Sequence, residues 1–305
     1  MKPFLMALCC VLTLICLQGC DGSKAKSEST NSAQKQTPSA KIPVPKANGN
    51  LAIRNKEDLV GYWIGMFRPA ILDDRGMNYW FKINISIDSV NGDKIMGHTV
   101  MAGVVNKFTG SVKADGGAFL LSASQLGDGK FDGVFNASIA VGDTAIKGNW
   151  EPNHVIGNVK ECSYKLEKKL FHYNATAALA NEPEEDRYVG ARKNPGKKLA
   201  DNESPEFAVS TEDVFKYNPS VQLLTKDDVV NLKKADLLVL RNSIFARHGY
   251  AFKKRDLRSF LEAADWYMPV STDVTGQLTD IEKKNIGLLS RYEKNAKEFY
   301  MSFSR

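Results

Sequence analysis

The groups that could do chemistry cluster late in the 305-residue chain, in Arg241-Asn242-Ser243-Ile244-Phe245-Ala246-Arg247-His248-Gly249-Tyr250. An imidazole oriented by a carboxylate can act as a general base, and for His248 the candidate orienter is Glu282. Such a hydrolase would need a nucleophile. Ser243 is the nearest hydroxyl, but it falls on a poorly matching face of the same helix, and no oxyanion-hole motif accompanies it. No catalytic residue is assigned. The same groups support two other uses. In the first, Arg241, Arg247 and His248 tie their helix to Glu282 and Asn285, with Trp266 and Tyr267 as core and lid, because buried charges need partners. In the second, Arg247, Lys253, Lys254, Arg255 and Arg258 form a basic rim, and Trp266 and Tyr267 offer a stacking platform to an acidic or sugar-bearing ligand. Both readings stay open.

These residues need helices to position them. Leu237, Leu240 and Ile244 recur at helical spacing, with Leu238 and Phe245 widening the apolar face, which predicts a helix from Ala235 to His248. Gly249 follows where a left-handed residue ends a helix most cheaply. Arg241, Phe245 and His248 share one stripe. Thr225-Lys226-Asp227-Asp228 opens a short helix, and Lys254 to about Ala264 forms another. Thr279-Asp280-Ile281-Glu282 is a capping box that opens the last helix.

Phe245-Ala246-Arg247-His248-Gly249, followed by Tyr250 and Phe252, resembles the signature of the YARHG domain, with Phe in place of the leading Tyr. Trp266-Tyr267-Met268-Pro269 is similar to that family's W-Y-x-P element, and Leu278, Glu282, Asn285 and Glu293 to its closing pattern. The resemblance covers roughly the last 85 residues, an ordinary size for a small domain. It implies an extracytoplasmic bacterial module joined to other envelope or signalling domains, and it implies no activity.

The N-terminus reads as an export signal. Lys2 is followed by an apolar run from Phe4 to Leu17, too short to span a bilayer comfortably. Leu17-Gln18-Gly19-Cys20 then resembles the bacterial lipobox, which implies that Cys20 becomes the first mature residue and carries a diacylglycerol anchor. Two or three acyl chains make a stable anchor where one is marginal. Of five cysteines, Cys9, Cys10 and Cys16 leave with the signal, so Cys162 has no partner for a disulfide or zinc site and reads as a small buried hydrophobe. Asp21 resembles an inner-membrane retention signal in some bacterial lineages, and inner and outer membrane both stay open. From residue 21 to about 50 the chain is polar and lysine-bearing, a tether that cannot bury enough surface to order itself.

Between Asp58 and about Phe171 the period changes to two. Trp80 to Asp88 alternates cleanly, and turns at Asn91-Gly92, Asp115-Gly116-Gly117, Gly127-Asp128-Gly129 and Gly142-Asp143 separate about eight strands. A meander of that size suits a closed barrel or a sandwich. Gly61-Tyr62-Trp63 resembles the opening of lipocalin-like barrels, which adds a carrier of a small apolar ligand as an alternative to a filled core. His98, His154 and His172 show no metal-ligand spacing, Asp73-Asp74 and Asp128-x-Lys130-x-Asp132 read as turns, and no phosphate-cradling or dinucleotide motif is present. Residues 174–218 pair an acidic block, Glu182 to Asp186, with a basic one, Arg192 to Lys198, and read as a flexible charged linker across which the two domains reorient.

The expected architecture is α+β and multidomain. It comprises a signal peptide (1–19), a lipidated Cys20 with a disordered tether (20–50), an antiparallel β-barrel-like meander (51–173), the linker (174–218) and a small all-α YARHG-like domain (219–305). The expected protein is a non-catalytic binding or scaffold module of the bacterial envelope, held to a membrane through Cys20, without cofactor or metal. Its partner would be peptidoglycan or another envelope protein. Nucleic acid is excluded by export, although the net charge of +6 is compatible with an anionic partner. Oligomeric state is not legible.

Overall fold

The computed structural model describes residues 42–302 apart from 48, 71–80, 130, 155, 157–158, 182–186, 195 and 201–202. The signal segment, Cys20, the tether up to residue 41, Asp73-Asp74, Trp80, Lys130 and the acidic block Glu182 to Asp186 therefore lie outside the described residues.

Eight strands form a closed antiparallel barrel in strict meander order: β1 (Gly61–Pro69), β2 (Phe81–Asn91), β3 (Lys94–Met101), β4 (Val104–Asp115), β5 (Ala118–Gln125), β6 (Gly133–Ala140), β7 (Ala145–Pro152) and β8 (Cys162–Lys169). β8 returns to pair with β1, Phe67 opposite Tyr164 and Gly65 opposite Leu166, so neither sheet edge is left open. The alternation of β2 sends Ile83, Ile85 and Ile87 inward. The hairpin between β3 and β4 turns on Ala102-Gly103, both with positive φ.

The barrel is filled. Trp63, Phe67, Phe108, Phe135, Trp150, Tyr164 and Leu166 pack at its centre, and Phe67 stacks on Tyr164 with ring centroids 6.0 Å apart. The space left among them is about 30 Å³, room for a single water. An apolar ligand of ordinary size needs roughly ten times that volume, more than this space among the described residues provides. One end is closed by the short helical turn at Glu57–Leu59, where Trp63 Nε1 donates to Leu59 O at 2.9 Å and buried Lys168 donates to Asn50 O at 2.7 Å and to Asp58 O. Cys162 is buried in this core, and burial pushes its thiol up to about 11.

The C-terminal part holds four helices: α1 (Lys226–Val229), α2 (Lys234–Arg247), α3 (Arg255–Glu262) and α4 (Asp280–Glu293). Leu237, Leu240 and Ile244 of α2 are fully buried, and Leu289 of α4 belongs to the same core as the first two. The all-α expectation needs one addition. Strands β9 (Tyr188–Arg192), β10 (Glu206–Val209) and β11 (Tyr300–Ser302) form an antiparallel sheet in the order β11-β10-β9. Two of those strands fall in 174–218, so that stretch is not merely a solvated linker. Arg187 is buried and pairs with Glu212 at 2.6 Å, and Thr211 donates from its amide to buried Asp236 of α2 at 2.6 Å.

The barrel and the helical part are packed together rather than free to reorient. Tyr62 and Ile64 on the outside of β1 meet Met268, Val270 and Phe171. The outer face of β2, polar in sequence, is buried here: Lys82 Nζ donates to Ala264 O at 2.8 Å and Asn84 Nδ2 to Pro269 O at 3.1 Å. Among the described residues no helix is long and apolar enough to cross a membrane.

Candidate functional site

The signature run ends α2 and turns back under the helical part. His248 caps the helix, and its amide donates to Phe245 O at 3.2 Å. Gly249 follows with φ +76°, where a Cβ would come within 2.4 Å of Val270 and 2.9 Å of Phe171. Glycine is thus required here twice, for its backbone angle and for the close approach.

His248 Nε2 meets Glu282 Oε2 at 2.8 Å, and both side chains are buried. Glu282 sits in the first turn of α4, accepts the Thr279 amide at 2.9 Å and donates its own amide to Thr279 Oγ1 at 3.3 Å, which completes the capping box. The pair thus joins the C-terminal end of α2 to the N-terminal end of α4, where an imidazole and a carboxylate respectively suit the helix dipoles. Burial pushes the Glu282 carboxyl upward. The His248 and Thr279 hydrogen bonds outweigh it and hold the group down at about 2.

Tyr173, just beyond the barrel, lays its ring on His248 at 4.2 Å and donates its hydroxyl to Glu282 Oε1 at 3.0 Å. It begins a strap, residues 173–178, that is latched along its length. Asn218 Nδ2 donates to Ala175 O at 2.8 Å, Arg247 Nε to Ala177 O at 3.0 Å, and Trp266 Nε1 to Ala178 O. Arg247 also donates to Ser243 Oγ at 2.8 Å and lies over the Trp266 ring at 5.9 Å. Burial lowers its guanidinium to about 10, so it stays protonated at neutral pH.

The remaining residues divide the labour differently from the expectation. Arg241 pairs through two bonds with Glu293, at 2.8 and 3.2 Å, rather than with Glu282 or Asn285. Asn285 is buried and holds the preceding loop, donating to Pro219 O and Gln222 O at 2.7 Å each and accepting the Leu224 amide at 2.9 Å. Asn242 donates to Leu238 O within its own helix, and Phe245 packs near Tyr250. Ser243 is fully buried, and its hydroxyl is used by Leu240 O and Arg247. Tyr267 is 1 % exposed and donates to Tyr250 O at 2.9 Å, so it is core and not a stacking platform. Of the basic rim, Lys253, Lys254 and Arg255 are exposed, but Arg258 is buried, 3.2 Å from Glu262 and 5.0 Å over the Phe81 ring. A desolvated guanidinium held this way is a seam contact, and the rim loses it.

The W-Y-x-P element works on both sides. Trp266 holds the strap, Tyr267 the helical core, Met268 the outside of β1, and Pro269 O accepts from β2. Sequence reasoning missed Tyr173, the strap carbonyls, Lys82, Asn84 and Glu262. The strap is held through backbone carbonyls, which any residue supplies, so no side-chain pattern could reveal it. Among the described residues no cluster of three metal-ligating side chains occurs.

An arginine, a histidine and a tryptophan of the helical module thus hold a strap of the same chain that turns at residues 175–176. Residues 215–294, which contain all of these except the strap and the barrel residues, match the family model of the YARHG domain. The chain thus carries a YARHG domain at its C-terminal side, beside an eight-stranded barrel. No curated protein and no solved structure matches the chain significantly.

Proposed function

We propose that this protein is a lipid-anchored lipoprotein of the bacterial envelope, held through Cys20, and that it is a non-catalytic scaffold presenting one barrel-and-YARHG body to the cell wall or to another envelope protein. The observation that supports this is the commitment of the signature. Arg247, His248, Trp266 and Glu282 spend their polar groups on one another and on the strap, the arrangement of groups that hold structure. The same body buries the polar face of β2, so barrel and helices act on a partner together.

The test has two arms on the full chain in a bacterial host. Labelled palmitate should enter the wild type and be lost in Cys20→Ala; equal labelling would remove the anchor. Protein purified in detergent should pellet with cell-wall sacculi or capture a discrete envelope protein on cross-linking. If the protein neither pellets with sacculi nor captures a discrete envelope protein, the scaffold role is removed.

A further inference from the structure

Outside the clamp, the strongest unexplained feature is a groove on the outer wall of the barrel beside the seam. Pairing places Lys147 of β7 opposite Lys165 of β8, Lys165 opposite Met66 of β1, and Met66 opposite Lys82 of β2, so these four side chains form one row. Arg68 and Ser163 pair in the next row. Glu262, Ala263 and Asp265, at the end of α3, form the opposite wall, and the groove between encloses about 760 Å³. That is the size of a small-molecule site.

The charges do not cancel. Lys82, Lys147, Lys165 and Lys169 line the groove against Glu167, Glu262 and Asp265. Two of the three acids are already engaged, Glu167 with Lys169 at 3.9 Å and Glu262 with Arg258 at 3.2 Å. Lys147 and Lys165 are exposed and make no ion pair among the described residues. Like charges directly opposite on neighbouring strands destabilise a sheet, and their side chains start about 5 Å apart. At the floor, Lys82 is buried with its ammonium on Ala264 O, and burial lowers it to about 8. An anion in the groove would relieve the repulsion and favour the charged form of Lys82.

We propose that this groove binds a multiply charged anion, with neighbouring phosphate or carboxylate groups set against Lys147 and Lys165. The site deepens the scaffold reading and rests on it only for the source of the anion, an acidic envelope polymer. Lysines act here as point charges, which suits phosphate and carboxylate alike.

The test is calorimetric titration of the full-length protein in detergent micelles at low salt and pH 7, with inorganic tripolyphosphate in one arm and citrate in the other. Binding in at least one arm is expected, weakened at least about tenfold by Lys147→Glu/Lys165→Glu and left within about twofold by Lys283→Glu/Lys284→Glu, two exposed lysines of α4 outside the groove. Tripolyphosphate alone would name a phosphate-bearing ligand and citrate alone a carboxylate-bearing one; both would establish the shared site. The double-glutamate variant still sets like charges opposite each other; if it melts lower than the wild type, Lys147→Gln/Lys165→Gln, which removes the repulsion, carries the comparison. Absence of binding in both arms, or equal weakening by the two double variants, would overturn the proposal. Wall pelleting is a separate measurement, so a groove that binds tripolyphosphate in a protein that ignores sacculi would fault the partner and leave the site standing.

Discussion

Replacing Glu282 with glutamine tests the clamp at its centre. The carboxyl is held at about 2 against an ordinary 4.5. Each unit is worth 1.36 kcal/mol, so its ionised form stabilises the fold by about 3 kcal/mol. That is a large share of the roughly 5–15 kcal/mol available to a domain. The folded pKa is depressed, so the contribution is complete above pH 4.5 and is lost as pH falls through 4.5 toward 2. Glutamine can still accept the Thr279 amide but carries no charge for His248. Urea unfolding followed by tryptophan fluorescence should show Glu282→Gln less stable than wild type by about 3 kcal/mol at pH 7. The gap should narrow steadily below pH 4.5. A gap under about 1 kcal/mol at pH 7, or one that stays constant from pH 6 to pH 3, would refute the assignment of the pair as a buried, charge-assisted clamp.

Three further outcomes are expected. Gly249→Ala combines a left-handed backbone costing roughly 1 kcal/mol with a clash on Val270 and Phe171, and should lower stability by about 3 kcal/mol in thermal unfolding. Arg247→Met should leave the helices intact by circular dichroism while amides of residues 173–178 exchange hydrogen about tenfold faster, because the strap loses a latch on Ala177 O; unchanged exchange would mean the strap is held elsewhere. Burial raises Glu262 to about 7, so its contribution is complete below pH 4.5 and falls as pH rises toward 7. Wild-type stability should drop by roughly 2–3 kcal/mol between pH 5 and 7 through this group, and Glu262→Gln should remove that drop in urea unfolding at the two pH values.

Much of the architecture was legible because it is local. Alternation of Ile83, Ile85 and Ile87, punctuated by glycine turns, dictates strands, and eight of them in sequence leave closure as the natural way to remove edges. The recurrence of Leu237, Leu240 and Ile244, the stop at Gly249 and the Thr279–Glu282 box dictate α2 and α4. The pairing of His248 with Glu282 was also within reach, since a buried imidazole and carboxylate in one small domain seek each other. What sequence could not decide was where polar faces go. Lys82, Asn84 and Ser86 read as the solvent side of β2, and only the arrival of residues 264–269 from far along the chain buries them. Arg258 sits in a basic run and reads as a rim, yet docking against Phe81 takes it inside. Lys147 and Lys165 become neighbours only through the β7–β8 register, and the groove they line exists only because α3 ends beside it. Periodicity records which residues share a face of one element; which faces meet is a property of the packed chain, and it is there that the clamp, the seam and the groove are made.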